Sequence, residues 1–351
     1  MRLMAVGCVL GALVLVAPAN AAVPRSFAGV YDEDAANLAA EASVGVGIVR
    51  RPFDWSQVER SRGRYDFSAY DGFMGAAARA RVAVLPIVTG PTPAFWSSKP
   101  RKSRSKAVYP PKSFAAYGAY VHAAVRRYGP GGSFWRTHPE LSPLPIHSWQ
   151  IWNEPNIPNW WRSGPSPRAY TRMLRVAYRA IKRVDRHAEV VAAGLPNSKL
   201  GVPFLRFLSG MYRAGAKRWF DTLAVHPYAR SIRGLLRLAT LARRRMNRHG
   251  DHARLWITEL GWSTGGDASV FRVSEQGQAT RISAALRGLI ARRRALRLRG
   301  FVVFRWKDAL APPGLGKGDP WPLHAGLLRV DGSAKPSYDA FARILSALGT
   351  R

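Results

Sequence analysis

The chain has 351 residues, of which 47% are hydrophobic, 21% charged and 11% aromatic. These values exclude a disordered tail, a collagen-like repeat and a disulfide-stapled miniprotein, and the length admits two domains or one large α/β barrel. The formal charge is +33, from 54 Lys and Arg against 21 Asp and Glu, which attracts polyanions over several ångströms.

Residues 1–22 read as a secretory signal peptide. Arg2 is a positive start, the run 3–17 is apolar and uncharged, and Ala19-Asn20-Ala21 has the small-x-small form of a cleavage site. The apolar run is shorter than the roughly 20 residues that span a bilayer. The expected mature chain, 23–351, is therefore secreted, with no transmembrane span. Cys8 is the only cysteine, so that mature chain has no thiol chemistry, no disulfide and no cysteine metal site. At roughly 330 residues a core can bury about three quarters of the unfolded surface and needs no staples.

Strand-like and helix-like segments then alternate. Short Val- and Ile-rich runs predict eight strands, at 27–31, 44–50, 82–89, 148–153, 190–195, 222–226, 255–259 and 301–306. Runs of this kind suit strands buried on both faces. Helical patterns occupy 34–42, 69–80, 113–128, 167–184, 203–214, 232–248, 274–293 and 338–348, with Ser113 and Ser274 as helix caps. Eight strand–helix pairs predict a single-domain (β/α)8 TIM barrel over 23–351. The rival, a doubly wound open sheet that binds a dinucleotide, needs a Gly-rich first turn that is absent. The proline-rich loop 90–112 follows the third strand and is expected to border the face where such barrels carry their sites.

Only eight Glu occur in the chain, and two of them close apolar strands: Glu154 in Ile151-Trp152-Asn153-Glu154-Pro155 and Glu259 in Leu255-Trp256-Ile257-Thr258-Glu259. A carboxylate at the end of a buried strand is costly unless something uses or pairs it. Strands four and seven of a barrel bring both groups over one mouth. Two facing carboxylates are what glycoside hydrolysis requires: one protonates the leaving oxygen, and the other attacks the anomeric carbon or activates water. The loops add Trp96, Trp160, Trp161, Trp262 and Trp321 on the same side, and aromatic rings stack on the C–H faces of sugars.

Over nearly all of the mature chain the sequence resembles the clan A glycoside hydrolases, which are retaining (β/α)8 enzymes. The match rests on Trp152-Asn153-Glu154-Pro155 and Thr258-Glu259-Leu260-Gly261-Trp262, supported by Arg50, Pro52-Phe53-Asp54-Trp55-Ser56 and Gly63-Arg64-Tyr65-Asp66-Phe67-Ser68. It is most like family 39 and is also similar to family 5. Many family 5 members have a His at the end of strand three, where this chain has Thr89. The resemblance implies Glu154 as general acid/base, with a raised pKa, and Glu259 as nucleophile, with carboxyl groups roughly 5–5.5 Å apart. It implies that Arg50 bonds the nucleophile, that Asn153 meets the sugar 2-hydroxyl, and that His226 and Tyr228 support the carboxylates. It also implies Trp306 as the platform beneath the sugar, and of the loop tryptophans Trp160 and Trp96 are taken as further sugar contacts. The substrate is then a carbohydrate, and neither cofactor nor metal is implied. Sugar, linkage, endo or exo action, and hydrolysis against transglycosylation stay open.

Two rival readings remain. A non-catalytic sugar-binding barrel typically loses a carboxylate, and this chain keeps both. Gly261-Trp262-Ser263-Thr264-Gly265 matches the G-x-S-x-G elbow of serine esterases, with Asp308 or Asp319 and then His324 in the usual order. The following Gly265-Gly266-Asp267 reads as a loop rather than the helix such an elbow enters. The basic residues cluster at 99–106, 241–254 and 281–299 without a zinc-finger, basic-zipper or RNA-binding signature. A solvated basic exterior fits them first, electrostatic association with an anionic cell envelope or an acidic polysaccharide second, and specific nucleic-acid binding least.

Overall fold

The computed structural model describes residues 23–311 and 318–349. The expected signal peptide and Cys8 lie outside the described residues.

Eight strands form the barrel: β1 (Ala28–Tyr31), β2 (Ile48–Asp54), β3 (Ala83–Thr89), β4 (Ser148–Ile151), β5 (Glu189–Pro196), β6 (Thr222–His226), β7 (Arg254–Leu260) and β8 (Leu298–Val303). They pair in sequence order, and β8 pairs in parallel with β1 to close the ring. The sheet is therefore a (β/α)8 barrel, as the alternation of patterns predicts. Closure leaves no sheet edge, so every backbone group of the strands can be paired internally.

Serine side chains start four of the surrounding helices. Ser113, Ser166, Ser231 and Ser274 each accept a backbone N–H, ahead of helices Phe114–Tyr128, Pro167–Val184, Ile232–Arg248 and Glu275–Ala291. Each such cap stabilises its helix by about 1 kcal/mol. The apolar faces of these helices pack on the outward side chains of the strands, including Val49, Val84 and Val190. Among the described residues no helix is long and apolar enough to cross a membrane.

Two strands depart furthest from the sequence expectation. The segment 44–47 is a connection, with Gly45 at φ +92°, and β2 runs on through Asp54. Arg50 thus lies inside the strand rather than at its end. The run Arg50-Arg51-Pro52 conceals a strand because Arg50 pairs with Glu259 inside the barrel and Arg51 packs on the Tyr70 and Phe73 rings. The last strand stops at Val303, which leaves Trp306 beyond it.

The barrel interior is layered. Ile48, Leu85, Val191, Ala224 and Trp256 form an apolar plug. At the end where the strands begin, Glu189 accepts from Ser148, Thr222, Arg254 and Arg299. This buried carboxylate is tolerable because its lone pairs are used. The other end of the barrel remains open.

Candidate active site

Glu154 and Glu259 meet at that open end. After β4 the backbone enters the left-handed region at Trp152 (φ 67°) and at Glu154 (φ 42°). Neither is a glycine, and each such residue costs of order 1–3 kcal/mol. These turns send Trp152 back into the packing, where its Nε1 donates to the Trp160 carbonyl at 2.8 Å. Asn153 and Glu154 line the cavity instead. One carboxylate oxygen from Glu154, one from Glu259 and a ring nitrogen of His226 lie within 4.8 Å of one another.

The two carboxylates have opposite surroundings. Glu259 sits between donors: Arg50 Nη1 at 2.7 Å on Oε1 and the Tyr228 hydroxyl at 2.9 Å on Oε2. Both of its carboxylate oxygens therefore accept from a side-chain donor, one of them cationic. Arg50 is fully buried, and its Nε and Nη2 donate to Gln150 and Asn153 at 2.9 and 2.8 Å. Glu154 instead faces His226, whose Nδ1 is 2.8 Å from Oε1. Burial pushes the His226 pKa well below its usual value, with the charge of Arg50 acting in the same direction. The imidazole is therefore neutral and adds no positive charge to hold Glu154 ionised. The Glu154 pKa is raised well above the carboxylate range, first by burial and then by the negative charge of Glu259.

A cavity of about 450 Å³ covers both groups. Its walls are aromatic and aliphatic, and include Tyr31, Ile87, Trp160, Phe271, Phe304 and Trp321. The structure thus brings together Glu154, Glu259, Asn153, Tyr228 and Trp160 on the wall, with Arg50 and His226 bonded directly behind them.

Two expected residues lie elsewhere. Trp306 is fully buried against Tyr338, with ring centroids 5.7 Å apart, and does not line the cavity. Because β8 ends early, Phe304 takes the place next to the cavity. Trp96 donates its Nε1 to Glu59 at 3.1 Å and lies under the Arg62 guanidinium at 4.8 Å, so its ring fastens the loop after β3. Trp161 and Trp262 are buried packing residues as well. Sequence reasoning missed Phe304 and Phe271. The one signal available for Phe304 was its place directly after an apolar strand.

The serine-esterase reading fails on geometry. His324 Nε2 does bond Asp319 at 2.6 Å. However, the Ser263 hydroxyl is fully buried and has no hydrogen-bond partner, and the next helix begins only at Glu275. A serine nucleophile needs a base within reach. The Glu154–His226–Glu259 cluster has the spacing to hold a cation, but both oxygens of Glu259 already accept from Arg50 and Tyr228. The guanidinium would also oppose a second positive charge.

No protein-family model and no curated protein matches this sequence. The fold nevertheless superposes on solved structures. A glucosidase from Croceicoccus marinus aligns with a TM-score of 0.69 at 20% identity, over 94% of this chain and 69% of that one. A family 39 glycoside hydrolase from Bacteroides cellulosilyticus WH2 aligns at 0.66 and 20%, over 93% and 64%. A GH5_18 structure from Bifidobacterium longum subsp. infantis aligns at 0.63 and 13%, over 91% and 78%. This chain therefore spans just under two thirds of the Bacteroides protein's length. At these identities the likeness is one of fold.

Proposed function

We propose that this protein is a retaining glycoside hydrolase acting on an oligo- or polysaccharide. One observation carries the reading: two carboxylates at short range, one held by cationic and hydroxyl donors and the other beside a neutral imidazole. The two environments differ in the way that an acid and a nucleophile require. The short spacing fits double displacement, whereas inversion needs roughly 6.5–9.5 Å to admit a water.

Glu259 attacks the anomeric carbon while the glycosidic bond breaks and Glu154 delivers its proton to the departing oxygen. The proton sits on Glu154 Oε2, because His226 Nδ1–H can donate to Oε1. The product is a glycosyl ester of Glu259. Glu154 is then a carboxylate, and esterification removes the negative charge that helped raise its pKa, so it stays ionised and can act as a base. It takes a proton from water, the water oxygen attacks the anomeric carbon, and the sugar leaves with its original configuration. Asn153, oriented by Arg50, is placed to donate to the sugar 2-hydroxyl. The left-handed backbone at Trp152 and Glu154 is strain maintained for this placement.

The reading includes secretion, supported by the signal-like pattern of residues 1–22. The basic exterior supports weak association with anionic envelope polymers, which salt would screen. The decisive experiment compares wild type with Glu259→Ala on a polysaccharide panel and follows the first-formed anomer by proton NMR. Release by wild type alone, with retained configuration, is expected. Inverted product would overturn the double displacement, and equal release by both proteins would remove Glu259 from its role.

A further inference from the structure

The charge of the chain points toward anionic substrates, and the cavity points the other way. Among the described residues no Arg, Lys or His lines it. Its ionisable wall groups are Glu154, Glu259, Tyr31 and Tyr228. Arg50, directly beneath, spends its Nε, Nη1 and Nη2 on Gln150, Glu259 and Asn153. Arg305 packs against the rings of Tyr31 and Phe304, at 5.7 and 5.9 Å, and is not among the residues lining the cavity. A sugar carboxylate placed here would be desolvated, would lack a cation and would face the charge of Glu259. Unpaired buried charge is strongly disfavoured.

The neutral polar groups are arranged differently. Thr89 lines the cavity, is 1% exposed, and its Oγ1 has no hydrogen-bond partner. A buried hydroxyl without a partner calls for a ligand or a water to complete it. Asn153 Oδ1 is held by Arg50, which leaves its amide N–H groups to donate. Asn159, Asn197 and Ser198 add uncharged donors and acceptors around the wall. Together with the Phe304 and Trp321 rings, which adjoin edge to face at 6.4 Å, this set matches a pyranose with hydroxyls at its edge and a C–H face toward an aromatic wall.

We infer that the sugar ring cut between Glu154 and Glu259 is a neutral one, not a uronic acid, and that Thr89 receives one of its hydroxyls. This rests on the glycosidase reading above. The basic surface then plays no part in recognising the ring that is cut.

The test uses matched aryl β-glycosides, glucoside against glucuronide and galactoside against galacturonide, with xyloside and mannoside added. Neutral and uronic-acid polysaccharides run in parallel, all at low and high salt so that non-specific attraction is screened. The expected result is a kcat/KM at least about 100-fold higher for a neutral sugar than for its uronide. Thr89→Val should lower kcat/KM on that neutral sugar about tenfold or more, and Thr89→Ser should restore it to within a few-fold. A uronide cut within tenfold of its neutral counterpart overturns the neutral-sugar assignment. An unchanged Thr89→Val removes Thr89 from the contact. Failure to cut any substrate, together with no covalent labelling by neutral 2-deoxy-2-fluoro glycosides, overturns the hydrolase reading and this inference with it.

Discussion

Arg50 Nη1 lies 2.7 Å from Oε1 of Glu259, a residue 209 positions away, and neither the guanidinium nor the carboxylate is free to turn. The same guanidinium fixes Asn153 and Gln150, so one side chain of β2 sets the geometry of β4 and β7. Arg50→Lys keeps the charge but loses the planar fork. We expect kcat/KM to fall about 100-fold or more, and the fold to lose a few kcal/mol because buried acceptors are left unpaired. Steady-state kinetics and urea unfolding measure the two effects, and near-normal activity in the lysine variant would sink the role given to Arg50.

Glu154→Ala should slow hydrolysis of substrates with poor leaving groups by roughly 10²–10⁴-fold. A dinitrophenyl leaving group needs no acid, so formation of the glycosyl ester should survive. Added azide should then replace water and yield a glycosyl azide of retained configuration. Absence of any azide product, with the protein folded, counts against Glu154 as the acid/base.

The pH profile follows from the raised pKa of Glu154. Wild-type kcat/KM should hold beyond the ordinary carboxylate range and fall once Glu154 ionises. In Glu259→Gln the repulsive charge is gone, so Glu154 should titrate at lower pH. A carboxyl titration by NMR checks this, and an unchanged Glu154 titration contradicts the coupling.

Gly194 of β5 has no room for a side chain. A Cβ there would stand 2.2 Å from Nε2 of His226. Gly194→Ala should push the imidazole off Glu154, cost about 1–3 kcal/mol through overpacking, and reduce kcat more than it raises KM. A variant with wild-type kcat would show that the imidazole need not stay where it is.

Phe304 and Trp306 should separate binding from packing. Phe304→Ala removes a cavity wall, so KM should rise several-fold or more while the melting temperature changes little. Trp306→Phe leaves a void in the core, so stability should drop by about 1–3 kcal/mol with KM unchanged. The opposite pattern would return the platform role to Trp306.

Glu41, fully buried in the helix Leu38–Ser43, is pushed from 4.5 up to about 10, by burial first and by the charge of Asp32 second. The native state therefore holds a proton that the unfolded chain releases. Stability falls as pH rises from about 4.5 toward 10. Glu41→Gln removes that dependence and should stabilise the protein at pH 7 by up to about 3 kcal/mol, with little gain at pH 4. Urea unfolding at both pH values decides it, and an equal effect at the two would contradict a protonated Glu41.

The barrel was legible in the sequence because its strands are buried on both faces, and such strands read as short apolar runs between helical periods. The glutamate pair was legible for a related reason: a charge that closes an apolar run stands out. Those signals are local. Strand β2 escaped in part, because Arg50 and Arg51 look like surface residues until a distant carboxylate is seen to pair Arg50 and the Tyr70 and Phe73 rings to cover Arg51.

What the tertiary structure alone decided is which side chains share the space around the two glutamates. Twelve tryptophans look alike in a sequence, yet Trp160 and Trp321 reach the cavity while Trp306 and Trp262 fill the core. A strand that ends three residues early puts Phe304 where Trp306 was expected. The place of the basic residues was hidden for the same reason. Charge counted along a chain says nothing of position, and closure of the barrel leaves the described arginines and lysines off the cavity wall while the neutral Thr89 lies on it. Residue types and periodicity are written along the chain, whereas recognition depends on contacts between residues that are neighbours only after the ring has closed.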